Sequence, residues 1–151
     1  MGNRRKAREC ALQILFQLEF NAADPAALAK DYWRHQRVTP GIRDYGTWLV
    51  EKILARRDEI DETVQSASRN WRLDRMAVVD RNILRIAVCE LLYEPTLVPA
   101  IVINEAIEIA KKYSGQESSV FVNGVLDAVG KRLAGPAGKP GGRTEGRRGP
   151  S

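Results

Sequence analysis

The densest group of chemically useful side chains in this sequence is a basic cluster at its N-terminus. Arg4, Arg5, Lys6 and Arg8 fall within eight residues that contain no acid. On a helix, Arg4 and Arg8 lie one turn apart, so several cations can point at one line of phosphates. Exposed cations in a first helical turn oppose the helix dipole and cost about 0.3–1 kcal/mol each. The cluster therefore favours binding of RNA, which arginine-rich segments commonly recognise; a frayed, solubilising terminus is the alternative.

A second candidate for nucleic-acid contact is Phe121, in the stretch QESSVFVNG. We expect Glu117, Ser118 and Ser119 to cap the last helix and to place Phe121 in its first turn. The ring then borders the core stripe and is partly exposed, and an exposed ring can stack on an unpaired base with a gain of about 1–3 kcal/mol. Ordinary core packing is the alternative for this residue.

Catalytic and metal-binding groups are sparse. His35 is the only histidine and is expected to face solvent, while Cys10 and Cys89 lie in apolar helical segments that predict buried thiols. The sequence contains no phosphate-binding P-loop, dinucleotide fingerprint or nucleophile elbow. Glu90 lies on an apolar helix face, which indicates a structural hydrogen bond to a neighbouring helix. The sequence therefore predicts a protein without catalytic residues, metal or cofactor.

The net charge of +5 is concentrated at the ends of the chain. Residues 1–8 carry +4 and residues 135–151 carry +3, which leaves −2 for the rest. This distribution suggests that a polyanion binds at the termini while the slightly acidic body can meet a basic protein. Polar residues interrupt any signal-peptide pattern and no apolar run is long enough to cross a bilayer, so we expect a cytoplasmic protein.

Hydrophobic periodicity predicts an all-α protein of about seven helices. A chain of this length suits one domain or two small bundles that share a core. The segment 76–94 is apolar over most of its circumference and is expected at the centre. We predict a helical domain over 1–134 and a disordered Gly/Pro/Arg-rich tail over 135–151. The expected helices span about 4–20, 25–35, 42–56, 58–69, 76–94, 101–115 and 117–133.

Three stretches of the chain resemble the signature segments of the NusB family of bacterial transcription antitermination factors. They are RRKARECALQILFQLEF, WRLDRMAVVDRNILRIAVCELLYE and PAIVINEAIEIAKKYSGQESSVFVNGVLDAV. The resemblance is close over 4–20 and 71–129, and the tail after Leu133 has no counterpart in the family pattern. It implies a fold of two small helical bundles packed on each other.

The resemblance also implies a function and its residues. Members of the family pair with a small-subunit ribosomal protein, NusE, bind the boxA element of nascent ribosomal RNA and help RNA polymerase to read through terminators. The family's RNA contact, its arginine-rich first helix, corresponds here to Arg4, Arg5, Lys6 and Arg8, with Phe121 as a further RNA contact. Acids near the partner or RNA surfaces correspond to Asp74, Asp80 and Glu117.

The same sequence pattern is compatible with other functions. A helical protein-interaction module without specific RNA binding would also fit the helices. Some ribosomal RNA methyltransferases begin with a similar domain, but they need a catalytic α/β domain that this sequence does not contain. DNA binding is less favoured because no helix-turn-helix pair is evident. The oligomeric state, monomer or homodimer, is not decided by the sequence.

Overall fold

The computed structural model describes residues 2–135, and every regular element in that range is helical. The all-α prediction is confirmed, whereas the tail predicted from 135 onward lies, apart from Gly135, outside the described residues. A single 3-10 turn, Leu73–Arg75, was not expected from the sequence. The seven α-helices are α1 (Gly2–Phe20), α2 (Pro25–Arg34), α3 (Pro40–Ala55), α4 (Arg57–Ala67), α5 (Val78–Tyr93), α6 (Pro99–Tyr113) and α7 (Gln116–Ala134).

Side-chain caps fix the starts of α2 and α3. The Asp24 carboxylate accepts the backbone N–H three residues further on, at 3.1 Å, and the Thr39 hydroxyl accepts the corresponding N–H at 3.4 Å. In both helices a proline, Pro25 or Pro40, occupies the first turn, where a missing N–H leaves no bond unmade. The two helices therefore begin where the sequence places Asp-Pro and Thr-Pro.

The junction between α6 and α7 depends on a glycine rather than on a polar cap. Gly115 has φ +103°, a conformation that side-chain-bearing residues rarely adopt, and it lets α7 start with only two residues between it and the end of α6. The predicted capping by Glu117, Ser118 and Ser119 is wrong, because no side chain caps α7. Ser119 instead bonds back to the Gln116 carbonyl oxygen, at 2.7 Å.

Helix α5 is the centre of the fold, as its apolar circumference predicts. It contacts α1, α3, α4, α6 and α7, and buried apolar side chains from all of these helices form one core. Each fully buried Leu or Ile in such a core contributes roughly 1.5–3 kcal/mol of transfer free energy. Within residues 2–135, no helix combines the length and apolarity that a bilayer crossing requires. The largest fully buried aliphatic side chains include Leu12, Ile14, Leu49, Ile53, Ile60, Ile83, Leu84 and Leu126.

An arginine in α5 ties together α1 and α4. The buried Arg85 guanidinium donates to both carboxylate oxygens of Asp61, at 2.8 and 3.0 Å, and to Glu19 at 3.0 Å. Glu19 also accepts from Arg81 and Asn82. Burial alone would raise the pKa of Glu19, but these hydrogen bonds and the two arginine charges outweigh it and lower the pKa. The C-terminal end of α1 is therefore held on α5 by charge as well as by apolar contact.

Close approach of α1, α2 and α3 requires a glycine in α3. A Cβ added at Gly46 would lie 2.8 Å from two ring carbons of Trp33 and 3.3 Å from the Ala7 carbonyl oxygen. The Trp33 ring is buried between these helices and has little room to move. Glycine at position 46 is therefore required by the packing of α1, α2 and α3, and it does not interrupt the helix.

We expect Gly46→Ala to destabilise the protein by about 1–3 kcal/mol, because overpacking outweighs the better helix propensity of alanine. Gly41→Ala is the matched control, since a Cβ there meets nothing within 4 Å. Urea unfolding followed by circular dichroism measures both, and the control should be neutral or slightly stabilising. Equal stability of the two variants would contradict this account of α1–α3 packing.

Candidate nucleic-acid interface

The basic cluster lies in the first turns of α1, where no acidic residue is present. The helix places its four cations on different sides. Lys6 is exposed, Arg4 and Arg5 are partly exposed, and Arg8 is buried. The surface that could meet an anion is therefore formed by Arg4, Arg5 and Lys6.

Arg8 points into the protein and pairs with Glu90 of α5. Its Nε lies 3.0 and 2.9 Å from the two carboxylate oxygens, and the residues are only 3% and 1% exposed. The Tyr45 hydroxyl of α3 donates to the same carboxylate. The predicted hydrogen bond of Glu90 to a neighbouring helix is confirmed, and it has two donors on two helices.

The sequence predicts Arg8 as an RNA contact, but its side chain is not exposed in this structure. Its guanidinium is enclosed and already neutralises a buried carboxylate, so it cannot reach a phosphate without leaving Glu90 unpaired. The sequence contains the signal for this role, because Arg8 precedes Leu12 by one helical turn on the buried side of α1. Periodicity alone did not show that its partner is 82 residues away.

Arg5 makes a similar pair nearer the surface. Its Nε and one terminal nitrogen donate to the two oxygens of Glu105 in α6, at 2.7 and 2.9 Å. The hydrogen bond from Arg5 lowers the pKa of Glu105, against the opposing effect of burial. Glu105 is half-buried by this contact. The Arg5 side chain remains 42% exposed and keeps access to solvent.

Arg4 lies over an aromatic ring. Its guanidinium carbon is 3.9 Å from the ring centroid of Tyr45, a cation–π distance. The stack fixes the direction of a side chain that would otherwise move freely. The sequence pattern gives no sign that Tyr45 belongs to this surface, because helical spacing groups it with the apolar residues of α3.

The predicted partner-binding acids lie where α5 and α7 begin. Asp80, in the first turn of α5, is 8% exposed and accepts from the Ser118 hydroxyl at 3.2 Å. Its other oxygen has no hydrogen-bond partner among the described residues. Glu117 is exposed next to Ser118, so this bond brings the two acids to one corner of the fold.

Burial leaves the Asp80 carboxylate in an unfavourable setting. Desolvation raises its pKa, and the hydrogen bond from Ser118 offsets this only in part. Asp74 differs, because it is exposed in the 3-10 turn and pairs with Arg72 at 2.9 Å. Of the three predicted acids, Asp80 is the one whose environment is hardest to explain by folding alone.

Phe121 is half-buried, between the two alternatives that its pattern allowed. Its ring packs edge-on against Trp71, with centroids 6.2 Å apart, and Trp71 is 56% exposed. This corner is distinct from the basic turn of α1. Arg8 meets α5 at Glu90, ten residues beyond Asp80 and therefore about 15 Å further along the helix axis.

The described residues contain no group of three side chains placed to bind a metal ion. Cys10 and Cys89 are buried free thiols, as predicted, and His35 is exposed, as predicted. The chemistry available on this surface is charge pairing, hydrogen bonding and stacking.

Comparison with known proteins gives consistent matches. Residues 5–131 match the NusB family. The transcription antitermination protein NusB of Myxococcus xanthus is 43% identical over 140 residues, which cover 90% of this chain and 100% of that protein. T. maritima NusB matches with a TM-score of 0.75 at 34% identity, over 83% of this chain and 89% of the other.

A further solved structure contains the antitermination factors NusB and NusE in complex with dsRNA. Its matching chain has a TM-score of 0.77 and 28% identity, and the match covers 85% of this chain and 96% of the other. The resemblance that three sequence stretches suggested is therefore confirmed over the helical part of the chain.

The first prediction from this geometry concerns Arg8. We expect Arg8→Ala to destabilise the fold by about 3–5 kcal/mol, because it leaves the buried Glu90 carboxylate unpaired. Arg5→Ala removes a bidentate pair of the same kind at a partly exposed position and should lose no more than about 1 kcal/mol. Chemical denaturation measures both, and similar losses for the two variants would show that burial of the Arg8 pair is not decisive.

A second prediction concerns Asp80 and pH. The pKa of Asp80 is higher in the folded than in the unfolded protein. The ionised carboxylate therefore lowers the free energy of unfolding at pH values above the folded pKa. At pH values below the unfolded pKa the carboxyl is protonated in both states, and this loss disappears. We expect Asp80→Asn to stabilise the protein at pH 7 by about 1 kcal/mol, since it removes a poorly solvated charge. The gain should vanish as the pH falls below the ordinary aspartate value of about 3.9.

Thermal unfolding across a pH series tests the Asp80 prediction, with Asp127→Asn on the exposed side of α7 as the control. The control should change stability by less than about 0.5 kcal/mol at either pH. A gain for Asp80→Asn that is the same at low and neutral pH would argue against the electrostatic cause.

Proposed function

This chain belongs to the NusB family, and from that premise we propose that it acts as a transcription antitermination factor. It binds boxA-type single-stranded RNA of a nascent ribosomal RNA transcript together with the small-subunit ribosomal protein NusE. The complex joins the antitermination assembly of RNA polymerase and promotes processive transcription. The role is one of binding and carries no catalytic step.

The observation that carries this proposal is the basic, acid-free start of α1, residues 2–8. Lys6 is exposed there, and Arg4 and Arg5 are held in fixed directions by Tyr45 and Glu105. Pre-positioned cations bind a phosphate backbone with less loss of side-chain freedom than mobile ones. We assign the phosphate contacts to Arg4, Arg5 and Lys6, and we assign Arg8 the task of holding α1 in place.

The corner formed by α5 and α7 is the proposed partner surface. Asp80, Glu117 and Asp74 supply negative charge, which complements a basic ribosomal protein. We assign Phe121 to the RNA as a stacking residue beside this surface, in line with its half-exposed ring.

The test is a titration of a short labelled boxA-type RNA across a salt series, with and without NusE. We expect tight, partner-enhanced binding that prefers boxA to a scrambled strand and to the corresponding duplex. Arg4→Ala/Lys6→Ala should weaken binding and flatten the salt dependence. For a single strand, the log–log slope should fall by about 0.7 for each phosphate that the variant no longer neutralises.

The matched control is Arg56→Ala/Arg57→Ala, which removes the same charge from exposed positions where α3 meets α4. Arg57 is twelve residues beyond Tyr45, which corresponds to about 18 Å at the helical rise of 1.5 Å per residue, so the control lies away from the basic end of α1. Equal losses in both double variants would indicate unspecific attraction by net charge. Binding that is indifferent to both variants, to sequence and to NusE would instead favour a protein-interaction module without specific RNA binding.

A further inference from the structure

Three flat side chains lie side by side where α1 begins and α3 passes it. The Arg4 guanidinium covers the Tyr45 ring, and the Tyr45 and Trp48 rings are stacked with centroids 5.5 Å apart and planes inclined by 27°. Tyr45 and Trp48 are half-buried, so part of the cluster reaches the surface. Stacked aromatic rings beside an arginine are the features with which proteins hold unpaired bases.

A hydrogen bond to a buried carboxylate fixes the position of Tyr45 in this cluster. The Tyr45 hydroxyl donates to the buried Glu90 carboxylate, which also accepts from Arg8. Burial and this carboxylate raise the pKa of Tyr45, so the hydroxyl stays protonated and the bond persists. A base that binds here therefore meets rings that are already in position, and little side-chain freedom is lost on binding.

A groove opens beside these rings. It has a volume of about 470 Å³ and is lined by Asn3, Arg4, Gly41, Asp44, Tyr45 and Trp48. Gly41 leaves the space next to it open, since even a Cβ there would meet nothing within 4 Å. The groove offers hydrogen-bonding groups beside a stacking surface: the Asp44 carboxylate can accept from a base amino group, and the Asn3 side chain can donate or accept.

We propose that the groove at Tyr45 and Trp48 binds one unpaired nucleobase of the RNA. This inference rests on the proposed function, because it requires the same strand to be held by the basic end of α1. Arg4 connects the basic end of α1 with the groove, since its guanidinium both stacks on Tyr45 and lines the groove. A strand whose phosphates lie along Arg4 and Lys6 can turn a base into the groove, whereas the paired bases of a duplex cannot enter it.

The experiment is a coupling measurement on the full chain. Each nucleotide of the boxA-type RNA is replaced in turn by an abasic unit, and binding is measured for the unaltered protein and for Trp48→Ala. We expect Trp48→Ala to weaken binding of the intact RNA about 10-fold or more. One abasic position should weaken binding to the unaltered protein by a similar factor and have no further effect on Trp48→Ala. Trp48→Phe should retain most of the affinity, and circular dichroism establishes that the variants are folded.

Phe20→Ala is the control, since Phe20 is an exposed aromatic residue at the far end of α1. It should leave RNA affinity unchanged. If Arg4→Ala/Lys6→Ala weakens RNA binding but Trp48→Ala shows neither loss nor coupling, the base site is overturned and the proposed function stands. If Trp48→Ala weakens only the binding of NusE, the groove belongs to the protein partner. Failure of the unaltered chain to bind RNA, with NusE present, would overturn both.

Discussion

The ion pair between Arg8 and Glu90 is the interaction on which the surface of this protein depends. Two charges buried this deeply are tolerated only with good geometry and further hydrogen bonds, and the Tyr45 hydroxyl completes the set. The pair joins α1, α3 and α5 at one point. Together with the contacts of Glu19 at the other end of α1, it fixes that helix antiparallel to α5. Apolar packing alone would leave the rotation of α1 less sharply defined.

The Arg8–Glu90 pair gives the four neighbouring basic residues different roles. Arg8 is committed to the core, and because it fixes the rotation of α1, Arg5 reaches Glu105, Arg4 covers Tyr45 and Lys6 faces solvent. Cations at the start of a helix oppose its dipole. Carboxylates from α5 and α6 offset that effect for Arg8 and Arg5, while Lys6 has no such partner among the described residues. A basic cluster in sequence has thus become a buried anchor and an oriented surface.

Most of the fold could be predicted from the sequence because helix caps, glycines and apolar periodicity act locally. Helix α2 begins at Pro25, as expected, α3 begins at Pro40, two residues earlier than expected, and the apolar segment 76–94 contains the central helix. The errors concern groups whose partners are distant in sequence. Arg5 and Glu105 are 100 residues apart, so neither their pairing nor the half-burial of Glu105 follows from periodicity. Leu133 continues the apolar stripe of α7, but it is exposed near the C-terminal end of that helix.

The small size of the basic surface explains why a protein of this kind would need a partner. Arg4, Arg5 and Lys6 can contact only a few phosphates, so RNA binding by α1 alone should be modest and strongly salt-dependent. The acidic corner with Asp80 and Glu117 lies about 15 Å or more from this surface along α5. A basic protein bound at that corner and touching the same RNA raises the effective concentration of the strand near α1. In the proposed arrangement, specificity comes from the simultaneous fit of these two weak surfaces, whose spacing is fixed by the helices between them.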